Sequence, residues 1–139
     1  MTARSVEQTA QSGFQIGVRK TLTFTPEEIW SALLSPEGTG VWLGGPTEVV
    51  QGASYRLENG TSGTFTVYKP GSHVRLTWQP NGWDRPSVVQ VRVIPAKTGT
   101  TLSFHQERLA GPAERAEMKE RWDRVIALLY LMIGERTAS

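Results

Sequence analysis

The spacing of apolar residues changes once along this chain, and that change constrains the fold more than any other feature. In residues 14–24, and again in residues 55–104, apolar residues recur at every second position, which is the period of a half-buried strand. Turn signals such as Asn59-Gly60 and Gln79-Pro80-Asn81-Gly82 separate the later segments. Short, evenly spaced strands of this kind predict an antiparallel meander that is polar on one face.

After Gly111-Pro112 the spacing becomes helical. The positions that recur at intervals of four and three, and therefore share one helical face, are Met118, Trp122, Val125, Leu129 and Met132. We predict a helix over residues 112–133, with Gly134 closing it. A block of strands followed by one long helix predicts an α+β fold in which the helix lies across the sheet.

One or two short helices are predicted between the first strand and the meander. Thr25 can cap a helix, Pro26 suits its first position, and Glu28 completes a capping box. This helix ends near Ser35-Pro36, and a second helical turn follows over residues 36–42. The strand order is therefore interrupted once, near the beginning of the chain.

The length of 139 residues suits one domain, which we assign to residues 13–139. Residues 1–12 are polar and unpatterned, so we expect a flexible tail without a signal peptide. The absence of cysteine excludes a disulfide framework and thiol catalysis, and it is compatible with a reducing compartment. We therefore expect a cytoplasmic protein.

Charge and hydropathy argue against two classes of partner. The net charge of +2 is spread along the chain and favours neither nucleic acid nor an anionic membrane surface. The longest apolar run, residues 125–133, is too short to span a bilayer. This run is apolar nearly all round, which predicts a homodimer unless the first helix covers Leu128, Tyr130 and Leu131.

Several segments, in the expected order, resemble the START-like (SRPBCC) superfamily, specifically bacterial homologues of the heat-shock-protein-90 ATPase activator (AHSA type). Residues 25–30 resemble its helix entry, residues 98–105 its "gGTrLtltH" strand, and Trp122 with Val125 its terminal helix. The resemblance covers residues 14–133. It implies a helix-grip fold, a curved antiparallel sheet wrapped around a long C-terminal helix, and it associates the chain with ligand binding and the stress response. The family's glycine before the helix tryptophan is Arg121 here.

No catalytic motif, metal site or cofactor site is predicted. His73 and His105 are the only histidines, and neither has a second ligand at metal-binding spacing. The glycine-rich segments lack the remainder of a dinucleotide fingerprint, and neither a nucleophile elbow nor a phosphate loop is present. His105 is expected to point away from the core as a locally bonded or solvated strand residue rather than to act as a base or to contact a ligand.

The predicted ligand-binding residues lie on the inner face of the sheet and on the facing side of the long helix. They are Tyr55, Phe65, Trp78, Phe104, Gln106, Met118 and Trp122. The apolar members would supply affinity for a small hydrophobic ligand, and Tyr55 and Gln106 would orient it. Packing alone also explains such aromatic residues, and Gln106 is either a ligand anchor or a buried amide satisfied by protein and water.

Three functions are compatible with these residues. The first is binding of a small apolar or aromatic ligand, and the second is an enzyme similar to the polyketide cyclases and aromatases found among START-like proteins. The third is a protein-interaction module acting on a chaperone or regulator. Trp42 and Trp83 either cover the cavity entrance or close the edge of the core. Lys20, on an otherwise apolar strand face, is expected to extend its ammonium to solvent rather than to pair with an anionic ligand.

Overall fold

The computed structural model describes residues 8–9 and 13–138, and within these ranges it contains one sheet and three helices. The strands are β1 (Gln8–Thr9), β2 (Gly13–Leu22), β3 (Ser54–Arg56), β4 (Ser62–Lys69), β5 (His73–Trp78), β6 (Ser87–Ala96) and β7 (Gly99–Leu109). The helices are α1 (Pro26–Leu34), α2 (Pro36–Trp42) and α3 (Pro112–Ala138). Apart from β1, the predicted tail of residues 1–12 lies outside the described residues, so it stays a prediction.

The sheet has seven strands in the order β1-β2-β7-β6-β5-β4-β3, and every neighbouring pair is antiparallel. The strands from β3 to β7 form a meander, and β2 joins this meander by pairing with β7. Phe104 lies at the centre of the sheet, opposite Val18 on one side and Val91 on the other. The predicted α+β fold is confirmed.

Two register shifts bend the sheet. One lies in β4 between Phe65 and Val67, and the other lies in β2 between Phe14 and Ile16. Such bulges bend a strand and increase its twist, so they help to curve the sheet towards α3.

The two short helices form as the sequence predicts. The Thr25 side chain accepts a hydrogen bond from the Glu28 N–H at 3.1 Å, and Glu28 Oε1 accepts one from the Thr25 N–H at 2.8 Å. Ser35 ends α1 and caps α2, where its Oγ accepts from the Gly38 N–H at 3.0 Å. A Cβ at Gly38 would lie 1.9 Å from the Ala32 carbonyl oxygen, so this sharp junction requires glycine.

The third helix is longer than the sequence predicts. It continues through Gly134 to Ala138, and the prediction that Gly134 closes it is wrong. Interior glycine costs a helix about 1 kcal/mol relative to alanine, which packing can offset. Here the helix passes Phe24 at Gly134, and Arg136 Nη2 donates to Ser31 Oγ of α1 at 3.3 Å.

The core lies between the concave face of the sheet and α3. The buried residues of α3 are Met118, Trp122, Val125, Ile126, Leu129 and Ile133. Met132, which the spacing placed on this face, is only partly buried, and Ile133 occupies the core instead. The buried face of α3 is therefore rotated slightly from the helical face that the sequence spacing predicts.

Candidate functional site

The seven predicted ligand-binding residues are all buried in the core, and most of them contact one another. The rings of Phe104 and Trp122 stack with centroids 4.8 Å apart and planes inclined by 11°. The Trp78 ring lies 6.0 Å from Trp122, and Tyr55 stacks on Phe65 at 4.9 Å. Trp122 therefore faces Trp78 and Phe104 across the space between helix and sheet, as the helical spacing predicts.

A chain of hydrogen bonds crosses this interior and satisfies Gln106, which is 0% exposed. Trp122 Nε1 donates to Gln106 Oε1 at 2.9 Å, and Gln106 Nε2 donates to Ser87 Oγ at 2.9 Å. Ser87 Oγ in turn donates to the Trp78 carbonyl oxygen at 2.7 Å. A buried amide requires hydrogen-bond partners, and in this structure the protein itself supplies those of Gln106.

Ser87 is a member of this chain of bonds that sequence analysis did not find. It lies directly opposite Trp78 in the β5–β6 ladder, while Val89 lies opposite Gln106 in the β6–β7 ladder. Only the strand register places Ser87 between Trp78 and Gln106, and the register cannot be deduced from a single sequence.

The Tyr55 hydroxyl also has a partner within the protein. It donates to the Thr77 carbonyl oxygen at 2.7 Å. Burial raises the pKa of this hydroxyl well above its ordinary value, so Tyr55 stays neutral across the physiological range. This leaves Tyr55 better suited to holding β3 against β5 than to acid–base chemistry.

A surface cleft opens beside this core, between the first half of α3 and the turns at one end of the sheet. We call it the Trp83 cleft. Its volume is about 220 Å³, and its walls include Leu43, Trp78, Trp83, Glu117, Met118 and Arg121. Two of the predicted ligand-binding residues, Trp78 and Met118, thus reach the cleft from the core.

Trp83 forms the outer wall of this cleft. Its ring meets Trp78 edge to face, with centroids 5.7 Å apart and planes inclined by 82°. Gln79 Nε2 donates to the Trp83 carbonyl oxygen at 2.7 Å, which ties down the turn between β5 and β6. Trp42, by contrast, is buried and donates from Nε1 to the Leu33 carbonyl oxygen at 2.9 Å. Trp83 therefore lies at an entrance, whereas Trp42 belongs to the core.

Arg121 places a positive charge against the aromatic wall. Its Cζ lies 4.8 Å from the centroid of Trp78 and 5.2 Å from that of Trp122, and Nη2 donates to the Trp42 carbonyl oxygen at 3.0 Å. Its Nε is buried without a hydrogen-bond partner. Burial first, and then the charge of Arg124, lowers the pKa of the Arg121 guanidinium. Arginine nevertheless remains charged, because its ordinary pKa is so high.

A second depression, of about 460 Å³, lies between β2 and α3. Its lining combines the cations Arg19 and Lys20 with Asp123 and the apolar side chains of Tyr130 and Leu131. Lys20 is exposed on its rim, in agreement with the expectation that its ammonium extends to solvent.

The histidines lie away from both depressions. His105 Nε2 is 2.8 Å from Gln15 Oε1, and His73 Nδ1 is 2.8 Å from Ser72 Oγ. Burial is the main cause that lowers the pKa of His105, although Glu107 acts in the opposite direction. Within residues 8–9 and 13–138, no group of three or more histidine, aspartate or glutamate side chains is arranged to hold a metal ion.

The curved antiparallel sheet and the long helix that packs across it define a helix-grip domain. Residues 23–134 match the family model described as "Activator of Hsp90 ATPase homolog 1-like protein". The chain therefore belongs to this family, which confirms the resemblance seen in the sequence. No curated protein matches the chain significantly.

Solved structures share this fold at low sequence identity. CalU16 from Micromonospora echinospora is 22% identical with a TM-score of 0.75, and the match covers 87% of this chain and 76% of CalU16. DynU16, a protein of the dynemicin biosynthetic locus, is 20% identical with a TM-score of 0.76; 86% of this chain matches 47% of DynU16. An Hsp90 activator from Plasmodium falciparum is 17% identical, with a TM-score of 0.73 and coverage of 88% and 97%. This chain thus spans about half the length of DynU16.

No helix in the described part of the chain has both the length and the apolar character needed to cross a membrane.

Proposed function

We propose that this protein binds a small apolar or aromatic ligand in the Trp83 cleft. The observation that carries the proposal is the cleft itself, where the apolar side chains of Trp78, Trp83 and Met118 line one space together with a comparable share of polar groups, among them Asn59, Thr61 and Arg121. Small-molecule sites combine apolar contacts, which supply affinity, with placed polar groups, which fix the ligand's orientation. Methionine adds a surface that adapts to different ligand shapes.

The predicted ligand-binding residues divide into two groups in this proposal. Trp78 and Met118 contact the ligand directly. Phe65, Phe104, Gln106, Trp122 and Tyr55 position them, because their ring contacts and hydrogen bonds hold the wall of the cleft in place. A ligand that reached deeper, towards Gln106, would have to replace these internal contacts.

Replacing Trp83 with alanine tests the proposal. The neutral probe N-phenyl-1-naphthylamine should bind the parent protein with increased fluorescence, and Trp83→Ala should weaken binding by about tenfold, because it removes a large aromatic contact surface from the cleft. Trp30→Ala is the matched control, because Trp30 is partly buried and stacks on Tyr68 away from the cleft. Absence of probe binding in the parent protein, or equal losses in both variants, would overturn the proposal.

The family supports a second candidate function, interaction with a chaperone ATPase. The supporting observations are the family description and the Plasmodium falciparum Hsp90 activator among the solved structures. Adding the purified chain to a bacterial Hsp90 should then increase its rate of ATP hydrolysis, and an unchanged rate would argue against this candidate. The cyclase or aromatase alternative has one observation beside it, the structural likeness to DynU16, a protein of the dynemicin biosynthetic locus. The stress-response association and the cytoplasmic location stay predictions.

We also propose that the protein forms a homodimer through the exposed side of α3. Leu128, Tyr130 and Leu131 are 48%, 47% and 62% exposed, although they are large and apolar. The adjoining groove carries both signs of charge, Arg19 and Lys20 on one side and Asp123 on the other. A surface of this kind can meet a second copy of itself across a two-fold axis, with each cation facing the other subunit's aspartate.

A further inference from the structure

Arg121 brings a positive charge into the Trp83 cleft without an anion to balance it. Among the described residues, no carboxylate lies within ion-pair distance of its guanidinium. Desolvating a charge is costly unless the charge is paired, so a guanidinium in this position favours an anion beside it. The cleft is the open space next to this group.

The contacts that Arg121 makes within the protein use only part of its hydrogen-bonding capacity. The faces of the guanidinium pack against Trp78 and Trp122, and Nη2 donates to the Trp42 carbonyl oxygen. A guanidinium has five N–H donors in one plane, and stacking on aromatic rings leaves these donors free. Nε is buried without a partner, so Nη1, which forms no hydrogen bond with the described residues, is the donor left for a ligand in the cleft.

Glu117 lies one helical turn before Arg121, and it also lines the cleft. Residues four apart on a helix can form an ion pair, but Glu117 and Arg121 do not form one here. Glu117 is instead exposed at the rim. The cleft therefore has a cation on its inner wall and an anion at its edge, and these two charges act on a ligand in opposite directions.

We propose that the Trp83 cleft selects a small aromatic carboxylate, whose ring packs against Trp78 and Trp83 and whose carboxylate pairs with Arg121. The inference rests on the proposed binding function and adds the chemical class of its ligand. Carboxylate is the geometric partner of guanidinium, since its two oxygens can accept parallel N–H bonds. The cleft, at about 220 Å³, suits a compact ligand with one or two rings rather than a long acyl chain.

A pair of nearly isosteric ligands separates charge from shape. Isothermal titration calorimetry with 2-naphthoate and 2-naphthamide should show the carboxylate binding about tenfold tighter to the parent protein, as a charge-assisted bond predicts. Arg121→Gln should remove this preference by weakening the carboxylate alone. Glu117→Gln should strengthen carboxylate binding severalfold and leave the amide unchanged, because it removes repulsion at the rim.

The outcomes distinguish this inference from the proposed function. If neither compound binds the parent protein, the proposed function fails. If both bind equally well, or if Arg121→Gln weakens both to the same extent, the function stands and the selection of an anion is overturned. If Arg121→Gln does not fold, as judged by circular dichroism, two other measurements test the inference. They are the effect of Glu117→Gln on carboxylate binding and the salt dependence of carboxylate binding to the parent protein. The advantage of the carboxylate must then shrink as salt is raised, and a constant advantage overturns the inference.

Discussion

At the scale of single residues, the interior of this protein depends on a few polar side chains whose partners lie far away in the sequence. Gln106 is the centre of one such set, since it joins Trp122 of α3 to Ser87 of β6. An unpaired N–H in a dry core costs far more than a hydrogen bond returns when it forms. Gln106 therefore stabilises the contact between helix and sheet by providing an acceptor that Trp122 needs.

Replacing Gln106 with leucine should expose this dependence. The substitution leaves the Trp122 Nε1–H buried without an acceptor, so the free energy of unfolding should fall by about 1–3 kcal/mol. Urea unfolding followed by tryptophan fluorescence measures the change. Gln90→Leu, on the opposite face of the sheet, should change stability by less than about 0.5 kcal/mol. Equal effects of the two substitutions would contradict the role given to Gln106.

His105 makes stability depend on pH in a direction that its surroundings determine. Burial lowers the pKa of His105 below its ordinary value of 6.5 in the folded protein. Between the two values the unfolded state binds more protons than the folded state, so stability increases as pH rises towards 6.5 and is lost as pH falls. His105→Asn should flatten this part of the curve of unfolding free energy against pH.

A second histidine provides the comparison for that experiment. The pKa of His73 is also lowered, but His73 is less deeply buried than His105, so His73→Asn should flatten the curve less. A steeper curve after removal of His105, or a larger effect of His73, would contradict a lowered pKa of His105 as the main cause of this pH dependence.

At the scale of elements, α3 connects the sheet to the two short helices. Its buried face packs on the sheet, Arg121 reaches the end of α2 at Trp42, and Arg136 reaches α1 at Ser31. These contacts explain why the helix continues beyond Gly134, where local signals alone predict an end. The bond of Arg121 to a carbonyl at the last turn of α2 also places a positive charge at the negative end of that helix.

Gly134→Ala should therefore stabilise the protein. A Cβ at this position would lie 3.9 Å from the Phe24 ring, an ordinary contact, and alanine should add about 0.5–1 kcal/mol within a helix. Thermal unfolding detects the gain. The contrasting variant is Gly60→Ala, since Gly60 has φ of +91° and a Cβ there would lie 2.8 Å from Asn81, so that change should destabilise. A loss of stability in Gly134→Ala would mean that the helix is strained at this residue.

At the scale of the whole molecule, the two depressions lie in different parts of the structure and have different compositions. The Trp83 cleft has aromatic walls and lies at the end of α3 near the strand turns, whereas the groove beside β2 adjoins the exposed apolar side of α3. If both proposals hold, one chain would bind a ligand and a second copy of itself without competition between the two sites.

The proposed homodimer predicts a measurable change in assembly. Leu131→Asp should convert a dimer to a monomer in sedimentation-velocity experiments, because it places a charge in the centre of the apolar face. Val50→Asp is the control, since Val50 is 46% exposed but does not belong to α3. A parent protein that sediments as a monomer at high concentration would refute the dimer and leave the ligand-binding proposal unaffected.

The sequence by itself determined the type and order of the elements from β2 onwards, the caps of the short helices and most of the inward-facing residues, but it did not predict β1. These features follow from local spacing, so Thr25 with Glu28, or Leu102 with Phe104, can be interpreted without knowing any distant contact. The family resemblance likewise depended on residues in order along the chain.

Only the tertiary structure decided which distant residues meet. The partners of Gln106, the position of Arg121 over two tryptophans and the opening of a cleft at Trp83 all join elements separated by long stretches of chain. Such contacts depend on strand register and on the angle at which the helix crosses the sheet. No periodic pattern of residues in the sequence specifies either of them. For this reason the sequence places Gln106 inside the protein but does not identify its partners, whereas the structure places Ser87 and Trp122 within hydrogen-bonding distance of it.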